Sequence, residues 1–489
     1  MLVPQPTLEE VLLRVGRLEV RVVELEAENG ELRRRLGMNS GNSSKPPSTD
    51  GPFGKPAGGR DKAPPVSLRG KSGRKPGGQP GRKGSTLEQV AEPDRRVVHR
   101  PSVCGGCGSD LDDLAPVAGE PVRRQVFDLP LIAVEVTEHE LYAVKCDCGH
   151  LTRAGEPAGV AGPVNIGEGL AAVAVYLSVA QMIPVERITQ VIESLYGIKV
   201  SAGWVSLVLA RAEKAVAEPN EAIKKKIIAS PAAFFDESVT KVGGGQAWFH
   251  AASTASLTAY HVDECGRGLE AIKAFGILLA FAGVAVHDAY AAYYSASLNG
   301  PGGLGTGNEY THALCIAHLQ RELRGIAGHD TVAAEDGWAT QADELIENLF
   351  RWRRAWSEQG RQRLPGFKSA KVNREWDLLI ARALAAHPEN PGRGGQSHAR
   401  RVALRMRQRR DDYLRWTTDF TIPATNNTAE QSVRMIKTKT KVSGGFRTLP
   451  GLAQFLAIRG YIDTSRKHHR HIITDLRNAL TGNPWIPAT

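Results

Sequence analysis

The chain has 489 residues, 42% hydrophobic and 23% charged, with a net charge of +10. That length exceeds one compact core and points to about three or four units, while the composition excludes wholesale disorder. The basic balance points to a polyanionic partner.

The longest apolar stretch, residues 170–185, is interrupted by Gln181 and Pro184 and falls short of a bilayer span. The first residues lack a basic segment followed by an apolar core, so no secretory signal is read. The expectation is a cytoplasmic protein with no membrane association.

Residues 8–37 carry a heptad repeat. Leu8, Val15, Val22, Asn29 and Leu36 occupy the a row, and Val11, Leu18, Leu25 and Leu32 the d row. Arg14 with Glu19, Arg21 with Glu26 and Glu28 with Arg33 are opposite-sign pairs between parallel strands. This predicts a coiled coil through which two chains self-associate. Residues 38–90 are rich in Pro, Gly and Ser and strongly basic, which predicts a disordered linker able to lie along phosphates.

Residues 91–160 hold Cys104-Gly-Gly-Cys107 and Cys146-Asp-Cys148. Two close pairs of thiols in a reducing compartment point to metal rather than disulfides. Alternation over 122–145 predicts two or three short strands that bring the pairs together as a small zinc knuckle with structural Zn²⁺. His150 is an alternative fourth ligand.

Residues 161–228 read as helices, with Gly197 ending one and Ser201 capping the next. This is a helical, DNA-binding segment if the pair is a helix-turn-helix; a plain helical hairpin fits the same pattern.

From residue 229 the period changes. The run PAAFFDESV ends in Asp236, two strands follow, then a helical GLEAIKAFGILLAF, a buried strand ending in Asp288, and a strand entering a helix at HALCIAHLQREL. Three strands, a helix, a strand and a helix match a ribonuclease H-like arrangement, in which the first and fourth strands are neighbours. TIPATNNTAEQSVRMIK then supplies Glu430 in the first turn of a helix capped by Asn427 or Thr428. Arg434, four residues later, is placed to orient Glu430 or bind a phosphate. Three carboxylates offer hard oxygen donors for two Mg²⁺ (or Mn²⁺) ions, the arrangement that in-line phosphodiester cleavage needs. Glu237 is assigned to the opposite strand face, and Glu264, Glu309 and Glu322 are rivals for the third acid. The expected fold is multidomain α/β, with the catalytic domain over 229–447, a helical insertion at about 325–415 with Arg-rich faces, and a helical tail over 448–489. Lys437, Lys439, Lys441 and Arg447 surround the third acid and are expected to hold DNA.

The order of the coil, NSSKPPSTDG, GGQPGRKG, the cysteine pairs, MIPVERI, FFDES, HDAYAAY, CIAHLQREL, NNTAEQSVR and GGFRTLPG resembles the insertion sequence 66 family of DDE transposases. The resemblance implies Asp236, Asp288 and Glu430 as the metal-binding set. It also implies a supporting role for Cys315 and His318, partners among accessory transposition proteins, and a bacterial, nucleoid-associated setting. Departures from the pattern fall at Cys146-Asp-Cys148, Thr425, Gln431 and Arg82. The implied function is DNA end binding, cleavage and strand transfer. The alternatives are a nuclease of the same fold and a catalytically weakened DNA-binding protein.

Overall fold

A computed structural model describes Leu25 and residues 88–114, 122–128, 134–157, 159–160, 162–264, 266–298, 309–328, 337–389 and 396–488. The expected coiled coil and nearly all of the basic linker lie outside the described residues. The chain divides into two compact units, one spanning Gly58–His139 and the other Met1–Ala57 with Glu140–Thr489.

In the first unit Cys104 and Cys107 sit on a tight turn, with Gly108 N donating to Cys104 O at 2.9 Å. In the second, Cys146 and Cys148 sit on a like turn, with Gly149 N donating to Cys146 O at 2.8 Å. Gly108 and Gly149 have φ of 77° and 92°, a left-handed conformation that a side chain at the close of either turn would disfavour. Among the described residues of 122–145, where alternation predicts strands, a strand forms only at the end of the span. Strand β1 (Ala143–Lys145) pairs antiparallel with β2 (Leu151–Arg153) around the second turn. The described residues before β1 alternate without a buried face: Val122, Val126 and Val136 are 79%, 90% and 87% exposed. A period-two pattern without a packing partner does not hold a ladder.

Helix α1 (Glu168–Val175) continues through a π-helical turn and is followed by α2 (Val185–Tyr196), α3 (Ala202–Ala215) and α4 (Ala217–Ile228). The caps fall where the sequence put them. Gly197 closes α2 with φ 71°, and Ser201 accepts from Trp204 N at the start of α3. Helices α1 and α3 share a core with the C-terminal helices α13 (Leu449–Lys467) and α14 (Ile472–Leu480) and with the sheet residues Phe249 and Tyr260. Segments distant in sequence, read as a DNA-binding segment and a tail, therefore cover one face of the sheet together.

The sheet contains β3 (Ala232–Val242), β4 (Gly245–Ser253), β5 (Thr258–Val262), β6 (Val284–His287) and β7 (Thr311–Leu314), in the order β5-β4-β3-β6-β7. β3 is antiparallel to β4 and parallel to β6, and β6 is parallel to β7. Short apolar runs such as Val-Ala-Val suit parallel strands covered on both faces. β3 is longer than its sequence suggests, so Asp236 lies within it and not at its end. The single helix expected at residues 268–281 is two, α5 (Leu269–Phe275) and α6 (Ile277–Ala280), because Gly276 turns left-handed between them.

Between β7 and α12 (Asn427–Ser443) run α7 (Ile316–Ala327), α8 (Trp338–Glu358), α9 (Gly366–Ala386), α10 (His398–Gln408) and α11 (Arg410–Thr418). They enclose a core of their own that includes Trp338, Trp376, Tyr413 and Trp416. Several insertion arginines turn inward. Arg405 pairs with the buried Glu322 carboxylate, Arg415 Nε donates to His312 O at 2.6 Å, and Arg409 lies over Tyr294 at 3.5 Å. The Arg415 bond ties the insertion to β7, Arg409 ties it to the turn after β6, and Arg405 ties α10 to α7. Among the described residues no helix is long and apolar enough to cross a membrane.

Candidate active site

Phe234 and Val286 face each other across the parallel β3–β6 pair. Side chains two positions on return to the same face. Asp236 is two residues beyond Phe234 within β3, and Asp288 is two beyond Val286 just past the end of β6, so the two aspartates continue the register of strands spaced about 4.8 Å apart. With Ala313 beside Val286 on β7, Phe234 and Val286 pack against Ile422 and Ala429, the last of these on α12. Glu430 follows Ala429 directly and sits in the first turn of α12. Packing one apolar helix face on one apolar sheet face thus carries the third acid to the first two.

The charges register that approach. Burial raises the Asp236 carboxyl well above the usual range, the charges of Glu237, Asp288 and Glu430 raise it further, and His318 opposes them. Asp236 Oδ1 accepts from Glu237 N at 3.0 Å and Asp288 Oδ1 from Tyr290 N at 2.9 Å. The rivals are placed otherwise. Glu322 is held by Arg405, and Glu264 and Glu309 are exposed.

Glu237 faces away from this cluster, as strand alternation requires. Its carboxylate accepts from Arg267 at 2.6 and 2.9 Å and from the Tyr293 hydroxyl at 2.7 Å. Burial, then the Asp288 charge, lifts it to about 7 against the pull of Arg267 and Tyr293. Behind Asp288, the ring of His287 is buried and bonds His312 at 2.9 Å.

The start of α12 differs from expectation. Asn426, not Asn427 or Thr428, is the N-cap residue, and its side chain makes no cap. Its Nδ2 instead donates to Phe235 O at 2.8 Å, and its backbone N–H donates to Cys315 Sγ at 3.1 Å. One buried residue thereby ties the Glu430 helix both to the Asp236 strand and to the strand–helix junction after β7. Sequence reasoning missed this role; the only trace was a pair of asparagines before a helix.

Cys315 and His318 join the site. Cys315, His318 and Glu430 each offer a ligand atom within 4.8 Å of the other two, the one such group of three or more among the described residues of the larger unit. Asp236 and Asp288 are outside that tight group. Carboxylates serving two ions about 3.5–4 Å apart need a wider set than one ion does. Burial works against charge on His318, but Cys315, Asp288 and Glu430 outweigh it and raise the imidazole.

A family model described as Transposase IS66 family matches residues 163–454, from the first helices through the acids to the start of α13. The chain belongs to the IS66 transposase family. It is therefore a transposase, and DNA is its partner. A second model, a family of unknown function (DUF6444), matches residues 4–88. No curated protein matches the chain.

The cations of this IS66 transposase around Glu430 divide into two kinds. Arg434, Lys441 and Arg447 are exposed. Lys439 is half-buried, donates to Gly444 O at 3.1 Å and lies 4.0 Å over the Phe446 ring, so it closes the turn between α12 and α13. Lys437 is half-buried and already engaged. Glu430 faces His318 at 3.6 Å, while Arg434 points into solvent.

Proposed function

We propose that the protein binds transposon ends and catalyses DNA cleavage and strand transfer, with Asp236, Asp288 and Glu430 holding two magnesium or manganese ions. The observation that carries this reading is the register of β3 and β6, with α12 closing over the same face. The strand order, with one central strand antiparallel on one side and parallel on the other, supports a ribonuclease H-like catalytic domain. The helices between β7 and α12 are its insertion.

The donor set fits the ions. Three carboxylates supply hard oxygens, and their mutual repulsion, seen at Asp236, is relieved by positive charge. Bound there, the ions would supply Lewis acidity at the attacking and leaving oxygens of the phosphodiester. The protein's part is placement. Tyr290 N–H fixes one Asp288 oxygen, and Asn426 holds Glu430's helix against Phe235. Arg434, Lys441 and Arg447 are available to phosphates beside the acids.

Structural zinc binding by the cysteine turns, Cys104 with Cys107 and Cys146 with Cys148, belongs to the same proposal. Hydrogen bonds from Ser109 and Cys104 lower the Cys107 thiol to about 7, and Cys148 lowers Cys146, both toward the thiolate that zinc takes. Self-association through residues 8–37, accessory transposition proteins and a bacterial cytoplasmic setting complete the reading.

The test uses the purified chain, labelled DNA carrying the element's inverted repeats, and a target plasmid. Magnesium-dependent 3′ hydroxyl ends and joined products are expected, both lost in Asp288→Asn and Glu430→Gln. Cleavage without joining would make the protein a nuclease. End binding with neither reaction would leave a DNA-binding protein.

A further inference from the structure

We propose that Cys315, His318 and Glu430 form a site for one zinc-class cation, separate from the magnesium pair and sharing only Glu430 with it. The first support is unmet bonding. His318 Nδ1 and Glu430 Oε1 are buried, and neither has a hydrogen-bond partner. Native proteins rarely leave such atoms without a ligand, water or ion. The two atoms face each other at 3.6 Å, which is too long for a hydrogen bond.

The second support is spacing. Ligands bound tetrahedrally at about 2.0–2.3 Å lie roughly 3.3–3.6 Å apart, so the His318–Glu430 separation suits an ion between them. Cys315 Sγ completes a group within 4.8 Å. Cys315 is the N-cap of α7 and His318 lies in its first turn, so a Cys-x-x-His spacing turns both toward α12. The thiol also accepts from Asn426 N–H, at the start of α12, at 3.1 Å.

The third support is donor chemistry. Sulfur and imidazole do not suit magnesium, whereas a thiolate, an imidazole and a carboxylate oxygen together suit zinc. Three protein ligands leave a fourth position open. A carboxylate has two oxygens, so Oε1 can serve this ion while the second oxygen remains for the side of Asp236 and Asp288. The ion would lock α7 to α12 and fix the orientation of the third acid before DNA arrives.

The full-length chain, purified without chelator, tests this by its metal content and by cobalt substitution. Relative to wild type, Cys315→Ser and His318→Ala should each lose one zinc per chain, and Asp288→Asn should lose none. The cobalt form should show a thiolate-to-cobalt absorption band in the difference between wild type and Cys315→Ser. Counting by difference leaves zinc on the four N-terminal cysteines out of the comparison. Circular dichroism of Cys315→Ser matching wild type ensures that the loss is local. If misfolding obscures that variant, Cys315→Asp, which keeps a ligand but hardens it, should shift the site from zinc toward manganese. Equal zinc in wild type and both substitutions, or a flat cobalt difference spectrum, overturns the site. Asp288→Asn separates the two proposals, since full zinc with retained cleavage would defeat the catalytic reading while leaving this one standing.

Discussion

Asp236 and Asp288 each stand two residues beyond Phe234 and Val286, which are partners across two parallel strands. Alternation puts both carboxylates on one face, and strand spacing holds them together whether or not a cation is present. Without a cation, the protein bears their repulsion, visible in the raised Asp236 carboxyl.

Removing one charge should therefore stabilise the metal-free protein. Asp288→Asn in chelator should melt a few degrees above wild type, since about 1 kcal/mol moves the midpoint by roughly 2–4 °C in a domain of this size. Magnesium should raise the wild-type midpoint and leave that of the variant nearly unchanged. Differential scanning calorimetry with and without magnesium reads both effects. A variant that melts lower in chelator would contradict the repulsion.

Asn426 should matter more than its place outside the acids suggests. Asn426→Ala leaves Phe235 O without its side-chain donor and loosens α12 from β3. A loss of about 1–3 kcal/mol in urea unfolding is expected. Cleavage should slow at least about tenfold at saturating DNA, with end affinity in gel-shift titrations unchanged. Weakened affinity at an unaltered cleavage rate would assign the residue to DNA contact instead.

The two histidines behind Asp288 should make the fold acid-sensitive. Burial lowers His287 to about 4 and, with His287, Arg409 and Arg415 nearby, lowers His312 to about 3. Both are neutral in the fold, while in the unfolded chain they take protons below about 6.5. Their contribution is present above that pH and is lost as pH falls toward 4. The slope is at most about 1.4 kcal/mol per pH unit for each group. Denaturation midpoints at pH 7, 6 and 5 should fall less steeply in His312→Gln than in wild type.

Neighbouring lysines should separate by function. Lys441→Ala and Arg447→Ala should each lower the salt dependence of DNA binding by about one unit of slope. Lys439→Ala should leave that slope almost unaltered and instead lower thermal stability, because its ammonium is spent on Gly444 O and Phe446. Fluorescence anisotropy across a salt series distinguishes them.

The sequence by itself determined what local pattern can determine. Short apolar runs marked the strands after residue 229, Gly197 and Ser201 marked helix ends, and three acids stood in positions that the family order made meaningful. Glu237 could be turned away from them by alternation alone. These are features of neighbours in the chain, and periodicity of two or 3.6 reports them directly. The failures were also local patterns, read without their surroundings. The alternating Val122, Val126 and Val136 stand exposed, and the apolar run after Gly268 is cut where Gly276 turns left-handed.

Only the tertiary structure decided which distant groups meet. Nothing in the spacing of Cys315, His318 and Glu430 shows that two buried atoms face each other at 3.6 Å without a partner. Nothing in an Arg-rich helix shows that Arg405 belongs to Glu322 and Arg415 to His312 O. The helices on either side of the catalytic segment share one core because the sheet face they cover is continuous, although their residues are hundreds of positions apart. Such contacts follow from burying apolar faces and satisfying buried polar atoms across the whole fold, and a one-dimensional pattern carries neither constraint.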